Sequence, residues 1–253
     1  LRYVLSTLSW IGPFAIVAAL WQGIAMLGVV DPTFFPGPAT VLAATADLLG
    51  SREIFVNLGA SLLNCFFGLV LGFAIGVPLG VAMALSPMAD SFFGPIVKAT
   101  YSLPKAALIP LFILWFGVGG LTNILAIMLT ALLPIVIYTY HGVLGVPQIF
   151  IWSAKSLGTP RVKLLGRIII PAASHSILTG IRIALGFSFI ITIAAEMIVS
   201  NFGIGKLMFL YGESGAYQYM FAAVLILVVI AYLADVGFVA LSNYILRWQG
   251  PID

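Results

Sequence analysis

The chain has 253 residues, of which 62% are hydrophobic and 8% charged, with a mean hydropathy of +1.18. This leaves too little polar surface for a water-facing shell, so a soluble domain is excluded and lipid is the expected solvent for most of the chain. The net charge of +3 comes from few groups and builds no basic surface, which excludes nucleic acid as a partner.

A helix that crosses the hydrocarbon core needs roughly 20 mainly apolar residues. Six stretches meet that measure, at about 9–29, 57–86, 94–117, 121–142, 174–200 and 217–246. The apolar run after Arg2 reaches about Val30, longer than the roughly 7–15 residues of a cleaved signal core, so it reads as a first span. The numbering begins at Leu1 rather than Met, which suggests that part of the natural N-terminus is missing. DPTFFPGP, from Asp31 to Pro38, is turn-rich and leads to a short interfacial helix expected near 39–50. The second span carries Gly68, Gly72, Gly76, Pro78 and Gly80, and the third Pro95, Pro104 and Pro110, so both are expected to be irregular. Ser86 to Asp90 reads as a tight turn between them. The single cysteine, Cys65, lies in an apolar run and excludes an intrachain disulfide and a cysteine-based metal site.

Alternating six spans puts Arg2, Lys98, Lys105, Lys155, Arg161, Lys163, Arg167 and Arg247 on one side, against Arg52 and Lys206 on the other. An excess of Lys and Arg marks the cytoplasm, so both termini and the segment 143–171 are expected there, with 31–56 and 201–216 outside. No internal repeat suggests an inverted-repeat carrier.

Between the fourth and fifth spans the chain reads GVPQIFIWSAKSLGTPRVKLLGRIIIPAA. Two short helices are expected: Pro147 in the first turn of one, Gly158 as its stop, then Thr159 and Pro160 as N-cap and first-turn residue of the next. The first helix presents Ile151, Ala154, Leu157 and Gly158 at helical spacing. Arg161, Lys163 and Arg167 then lie near lipid headgroups. Such a segment is either a solvated amphipathic connector or an element that docks in a partner's groove and passes on its movement.

The spacing resembles the cytoplasmic loop of permeases of binding-protein-dependent ABC importers, whose pattern runs Glu-Ala-Ala, three residues, Gly, nine residues, Ile, one residue, Leu-Pro. Here it falls on Trp152-Ser153-Ala154, Gly158, Ile168 and Ile170-Pro171, with Trp152, Ser153 and Ile170 departing from it. LPKAALIPLFILWFGVG, SLGTPRVKLLGRIIIPAA and ILTGIRIALGFSFIITIAAEMI, with the external FFPGPATVL, are similar to the nitrate, sulfonate, taurine and bicarbonate branch. The likeness covers about Phe35 to Trp248. It implies an all-α membrane protein of the type I ABC importer permease fold, with one permease domain over 1–253 and its core at 57–248. It also implies a bacterial inner-membrane location, a second permease copy forming a homodimer, two ATP-binding subunits and an external solute-binding protein. Trp152, Ser153, Ala154, Leu157, Gly158, Arg161 and Pro171 then become the ATPase-coupling residues. ATP and Mg belong to the partner ATPase and no cofactor to this chain, which lacks a G-x-x-x-x-G-K-S/T phosphate loop.

Arg182 and Glu196 lie in the fifth span, and a charge at membrane depth marks either a functional or a paired structural site. Fourteen residues apart, about 21 Å along a helix, they cannot pair with each other. Asp235 in the sixth span is a third such group, expected to pair with a neighbour. Ser188, Thr192 and Asn123 are polar candidates for the solute path, with Phe189 as a residue that narrows it. Phe112, Trp115, Phe116 and Phe187 read first as packing residues. His141 and His175 flank the cytoplasmic segment without carboxylate or thiol partners at metal spacing, so no metal is expected. The competing function, a secondary carrier or channel independent of ATP, calls for an internal repeat and clustered ionisable groups that this sequence does not show.

Overall fold

The computed structural model describes residues 2–28 and 30–249; Leu1, Val29 at the end of the first expected span, and residues 250–253 lie outside them. The described residues form helices α1 (Arg2–Met26), α2 (Pro38–Leu49), α3 (Arg52–Leu85), α4 (Pro87–Tyr101), α5 (Ile109–Phe116), α6 (Gly120–Leu144), α7 (Gln148–Ser156), α8 (Arg161–Leu164), α9 (Ile170–Val199), α10 (Ile204–Glu213) and α11 (Tyr217–Ile245).

Four of these stretches, Arg52–Leu85, Gly120–Leu144, Arg161–Ile198 and Tyr217–Ile245, are each long and apolar enough to cross a membrane. The third expected span is different. It is a bent pair, Pro87–Tyr101 and Lys105–Phe116, whose axes differ by 97°. The break falls at Leu103 and Pro104, where the proline ring bars the helical conformation to the residue before it, and Pro104 itself is extended at ψ 103°. The tight turn expected at Ser86–Asp90 is a single-residue break instead. Ser86 ends α3 and caps α4, its hydroxyl accepting the Ala89 N–H at 3.4 Å.

The second span is regular, not irregular. Gly68, Gly72, Gly76 and Gly80 fall on one face of α3, and α6 lies so close that a Cβ at each would stand 2.5–2.9 Å from Ile127, Ala131, Ile135 or Thr139. Both rows repeat every four residues, so a glycine groove on one helix receives a ridge from the other. On its other side α6 meets α9, where Gly142 faces Ser176 and Gly180 faces Tyr138 at the same close range. The three helices α3, α6 and α9 therefore form one packed layer in which α6 joins the other two and α3 also meets α9 at Ser61 and Glu196, and α11 and α2 cover the α9 and α3 side at the end opposite α7.

Candidate functional site: the α7 end, a capped α10 and a cavity beside α4

At one end of the bundle, α7 packs against α8 and the turn that leads into α9, and its Ala154 shares a core cluster with Val143 of α6. Pro147 is its N-cap rather than a first-turn residue, and Gly158 stops it at φ +73°. The Thr159 N–H reaches the Ala154 carbonyl at 3.1 Å and the Gly158 N–H the Lys155 carbonyl at 2.9 Å, the paired bonds of a Schellman turn. The N-cap of the next helix is Pro160, not Thr159. That helix is not a separate short one either: α8 passes through a π-helical turn at Leu165–Ile169 directly into α9.

Ala154 is buried and shares a core cluster with Leu164, Ile169 and Ala173, so it holds α7 to the bundle. Ile151 packs on the same cluster. The outward face is apolar: Trp152 is 61% exposed and Leu157 85%, with Ile149 and Phe150 beside them. Ser153, Gly158 and Arg161 are also exposed, whereas Pro171 is half-buried in the first turn of α9.

At the opposite end, Glu196 is fully buried. Its Oε2 accepts the Ser61 hydroxyl at 2.7 Å and the Gly205 N–H at 3.1 Å, and the Ser61 oxygen in turn accepts the Ile204 N–H at 2.9 Å. The Asn57 carbonyl oxygen accepts the Gly203 N–H at 2.7 Å. Three successive N–H groups that α10 cannot satisfy internally are thus met from α3 and α9. The carboxylate also lies at the positive end of that helix. Asn123, on α6, donates to Ser200 just beyond α9.

Arg182 reaches α11. Its Nε and Nη2 each donate to an Asp235 oxygen at 2.7 Å, a bidentate pair whose side chains stay 52% and 37% exposed on the single chain. Ser188 and Thr192 are buried, and their hydroxyls donate to carbonyls one turn back in α9, at Ala184 and Ser188. Phe189 is buried in the cluster with Ile204 and Leu207.

Glu196, Arg182, Ser188, Thr192, Asn123 and Phe189 do not border the cavity beside α4. That space, about 980 Å³, is bounded by α4, α6 and α9 and includes Lys98, Tyr101, Lys105, Tyr140, His141 and Phe187 in its wall.

Residues 76–246 match the binding-protein-dependent transport system inner membrane component. The chain belongs to that family. It is a permease subunit of an ABC importer, and ATP hydrolysis belongs to a separate subunit. The permease is 34% identical to the taurine transport system permease protein TauC of Escherichia coli K12, over 96% of this chain and 90% of TauC. It is 32% identical to the putative aliphatic sulfonates transport permease protein SsuC of Bacillus subtilis 168, over 94% and 87% of the two chains. Its fold is that of a chain in the inward-facing MetNI methionine ABC transporter, with a TM-score of 0.67 at 20% identity over 78% of the permease and 96% of that chain.

Among the described residues of the permease no group of three or more His, Cys, Asp or Glu side chains is placed to hold a metal ion. Sequence reasoning missed Asn57 and Ser61, which cap α10. Their signal was available in the run Asn57, Ser61, Cys65, Gly68, an unbroken buried stripe of small or polar residues on α3. It also missed the cavity, because that space exists only where α4 turns away from α5.

Proposed function

We propose that this permease forms a homodimeric path for a small anionic solute of the sulfonate class, with two ATPase subunits docked at the α7 end. That end carries Lys98, Lys155, Arg161, Lys163 and Arg167, and so is cytoplasmic by the excess of Lys and Arg, as are both termini. The observation that carries the reading is the outward face of α7. Trp152 and Leu157 present an apolar surface on a helix whose inner face is fixed by Ala154 and whose exit is fixed by Gly158. A partner that grips this face moves α8 and α9 with it, since Arg161–Ile198 is a single helical run. Trp152 stands where the family pattern has Glu, so the coupling contact is apolar rather than an ion pair.

ATP binding favours one arrangement of the two ATPases, and the permease follows by its differential fit to that state. At the outer end, α2 and α10 receive the loaded solute-binding protein, and the Glu196 network holds α10 in register with α3 and α9. The solute class rests on the relatives named for taurine and aliphatic sulfonates.

The test is reconstitution with the ATPase and binding protein of the same gene cluster. Taurine or a short alkanesulfonate is expected to enter proteoliposomes only with ATP inside the ATPase-facing compartment. Transport by the permease alone, or uptake that ignores ATP, overturns the importer assembly. Uptake confined to uncharged or cationic solutes overturns the substrate class.

A further inference from the structure

We propose that the cavity beside α4 is an anion-selecting chamber in the solute path, with Lys98 and Lys105 as the residues that select charge. The inference rests on the reading of this chain as a permease for anionic solutes and assigns that selectivity to named side chains. The chamber spans Thr130 to His141 on α6, about 16 Å of helix, roughly half the hydrocarbon core. Its other walls are α4 and, through Ile183 and Phe187, α9. It exists because α4 bends 97° away from the Lys105–Phe116 helix, and the two lysines stand on either side of that bend.

Lys105 is anchored there: its Nζ donates to the Tyr101 carbonyl at 2.6 Å and lies 5.4 Å from the Tyr101 ring centre. An ammonium group has three donors, so two remain for a ligand. The one carboxylate in the wall, Asp90, already accepts the Tyr140 hydroxyl at 3.2 Å. Two cations therefore face one engaged anion. The rest of the wall is largely apolar, with Leu133, Ile137 and Phe187. A space with apolar walls and few convergent charges suits an amphiphilic anion, a charged head on a short hydrocarbon body. On the single chain Lys98 is exposed and Lys105 half-buried, so water screens part of their field, and the apolar wall behind them strengthens what remains. At about 980 Å³ the chamber is far larger than a short alkanesulfonate, so it holds such a solute loosely, as a passage requires. A phospholipid headgroup offers the same anionic chemistry, and the experiment separates the two.

The nucleotide-free permease–ATPase complex, without binding protein, is placed in phosphatidylcholine nanodiscs and titrated with n-butanesulfonate and with the uncharged methyl butyl sulfone. Binding is read by saturation-transfer NMR. Sulfonate is expected to bind at least about tenfold more tightly than sulfone. The double variant Lys98→Gln/Lys105→Gln loses that preference, Lys98→Arg/Lys105→Arg keeps it, and each single Gln variant loses part of it. Equal binding of sulfonate and sulfone to the wild-type complex overturns the proposal, as does a double Gln variant that retains the preference or a double Arg variant that loses it. Displacement of sulfonate when about a third of the lipid is phosphatidylglycerol assigns the lysines to headgroups and also overturns it. Wild-type uptake in proteoliposomes is scored separately: a complex that binds sulfonate through the lysines but imports no anion overturns the placement of the chamber in the solute path, whereas one that imports sulfonate without the lysine-dependent preference overturns this inference and leaves the substrate class standing.

Discussion

The first three N–H groups of α10 are met in order by Asn57, Ser61 and Glu196, two side chains from α3 and one from α9. Of the three, Glu196 serves two donors at once, because its Oε2 also takes the Ser61 hydroxyl. Replacing it with Ala leaves two buried donors without a partner, each costing about 1–3 kcal/mol. Glu196→Ala is therefore expected to lower the unfolding temperature of the purified complex and to loosen α10. Glu196→Gln keeps an acceptor oxygen of the same reach and should retain most of the stability, losing only the charge contribution at the α10 N-terminus. Scanning fluorimetry of both variants checks this, and equal losses would place the weight on the charge rather than on the hydrogen bonds. The neighbouring backbone leaves no slack. Gly203 sits at φ +131°, and a Cβ there would stand 2.3 Å from the Glu196 carboxyl carbon. Gly203→Ala should be worse than Glu196→Gln in the same assay.

Within α3, glycines of the same type differ in what surrounds them. Gly59 has nothing within 4 Å of an added Cβ, whereas Gly72 meets the Ala131 Cβ at 2.9 Å and Gly76 the Ile135 Cγ2 at 2.8 Å. Gly59→Ala is expected to be neutral or to stabilise by up to about 1 kcal/mol, through helix propensity alone. Gly72→Val has to push α6 away and should abolish recovery of folded protein, measured as a monodisperse peak after detergent extraction. Of the six expected spans, hydropathy located four as helices long enough to cross and the third as a bent pair, whereas the first is, among the described residues, only the shorter apolar helix Ala15–Met26. The prolines marked the third span as irregular, but counting apolar residues is blind to the direction in which a chain travels, and so it gave neither the size of the bend at Pro104 nor the helix at 204–213. It read the α3 glycines as breaks, although their four-residue spacing marks a packing groove. The helix stop at Gly158 was legible at the α7 end because a surface loop keeps its own local code, and Trp152 and Leu157 are exposed there. The membrane-depth residues were less so. Arg182 and Asp235 pair across 53 positions, a contact that only the approach of α9 to α11 creates. Reversing either charge alone is expected to disrupt that approach, and Arg182→Asp with Asp235→Arg to recover part of it, in yield of assembled complex.

At the scale of the whole molecule, the α7 end and the Glu196 network are the two ends of one helical run. From Arg161 to Glu196 there are 35 residue steps, about 52 Å of helix, more than the roughly 30 Å hydrocarbon core. A displacement imposed on α7 therefore reaches α10 without crossing a flexible joint, provided that the turn between α7 and α8 is stiff. Gly158 makes it so, and the reason is conformational rather than steric. An added Cβ would meet nothing within 4 Å, but φ is +73°, which a β-branched residue tolerates poorly. Gly158→Val should consequently leave the α3–α6–α9 layer intact, with an unfolding temperature close to that of the wild type, because no core contact is lost. The turn would relax, the Thr159 and Gly158 bonds to Ala154 and Lys155 would open, and α7 would no longer move rigidly with α9. The expected result in proteoliposomes is ATP hydrolysis that continues while solute uptake per ATP falls at least about tenfold. Uptake per ATP equal to the wild type would show that movement reaches α9 by another route, such as the buried contacts of Ala154 and Ile151.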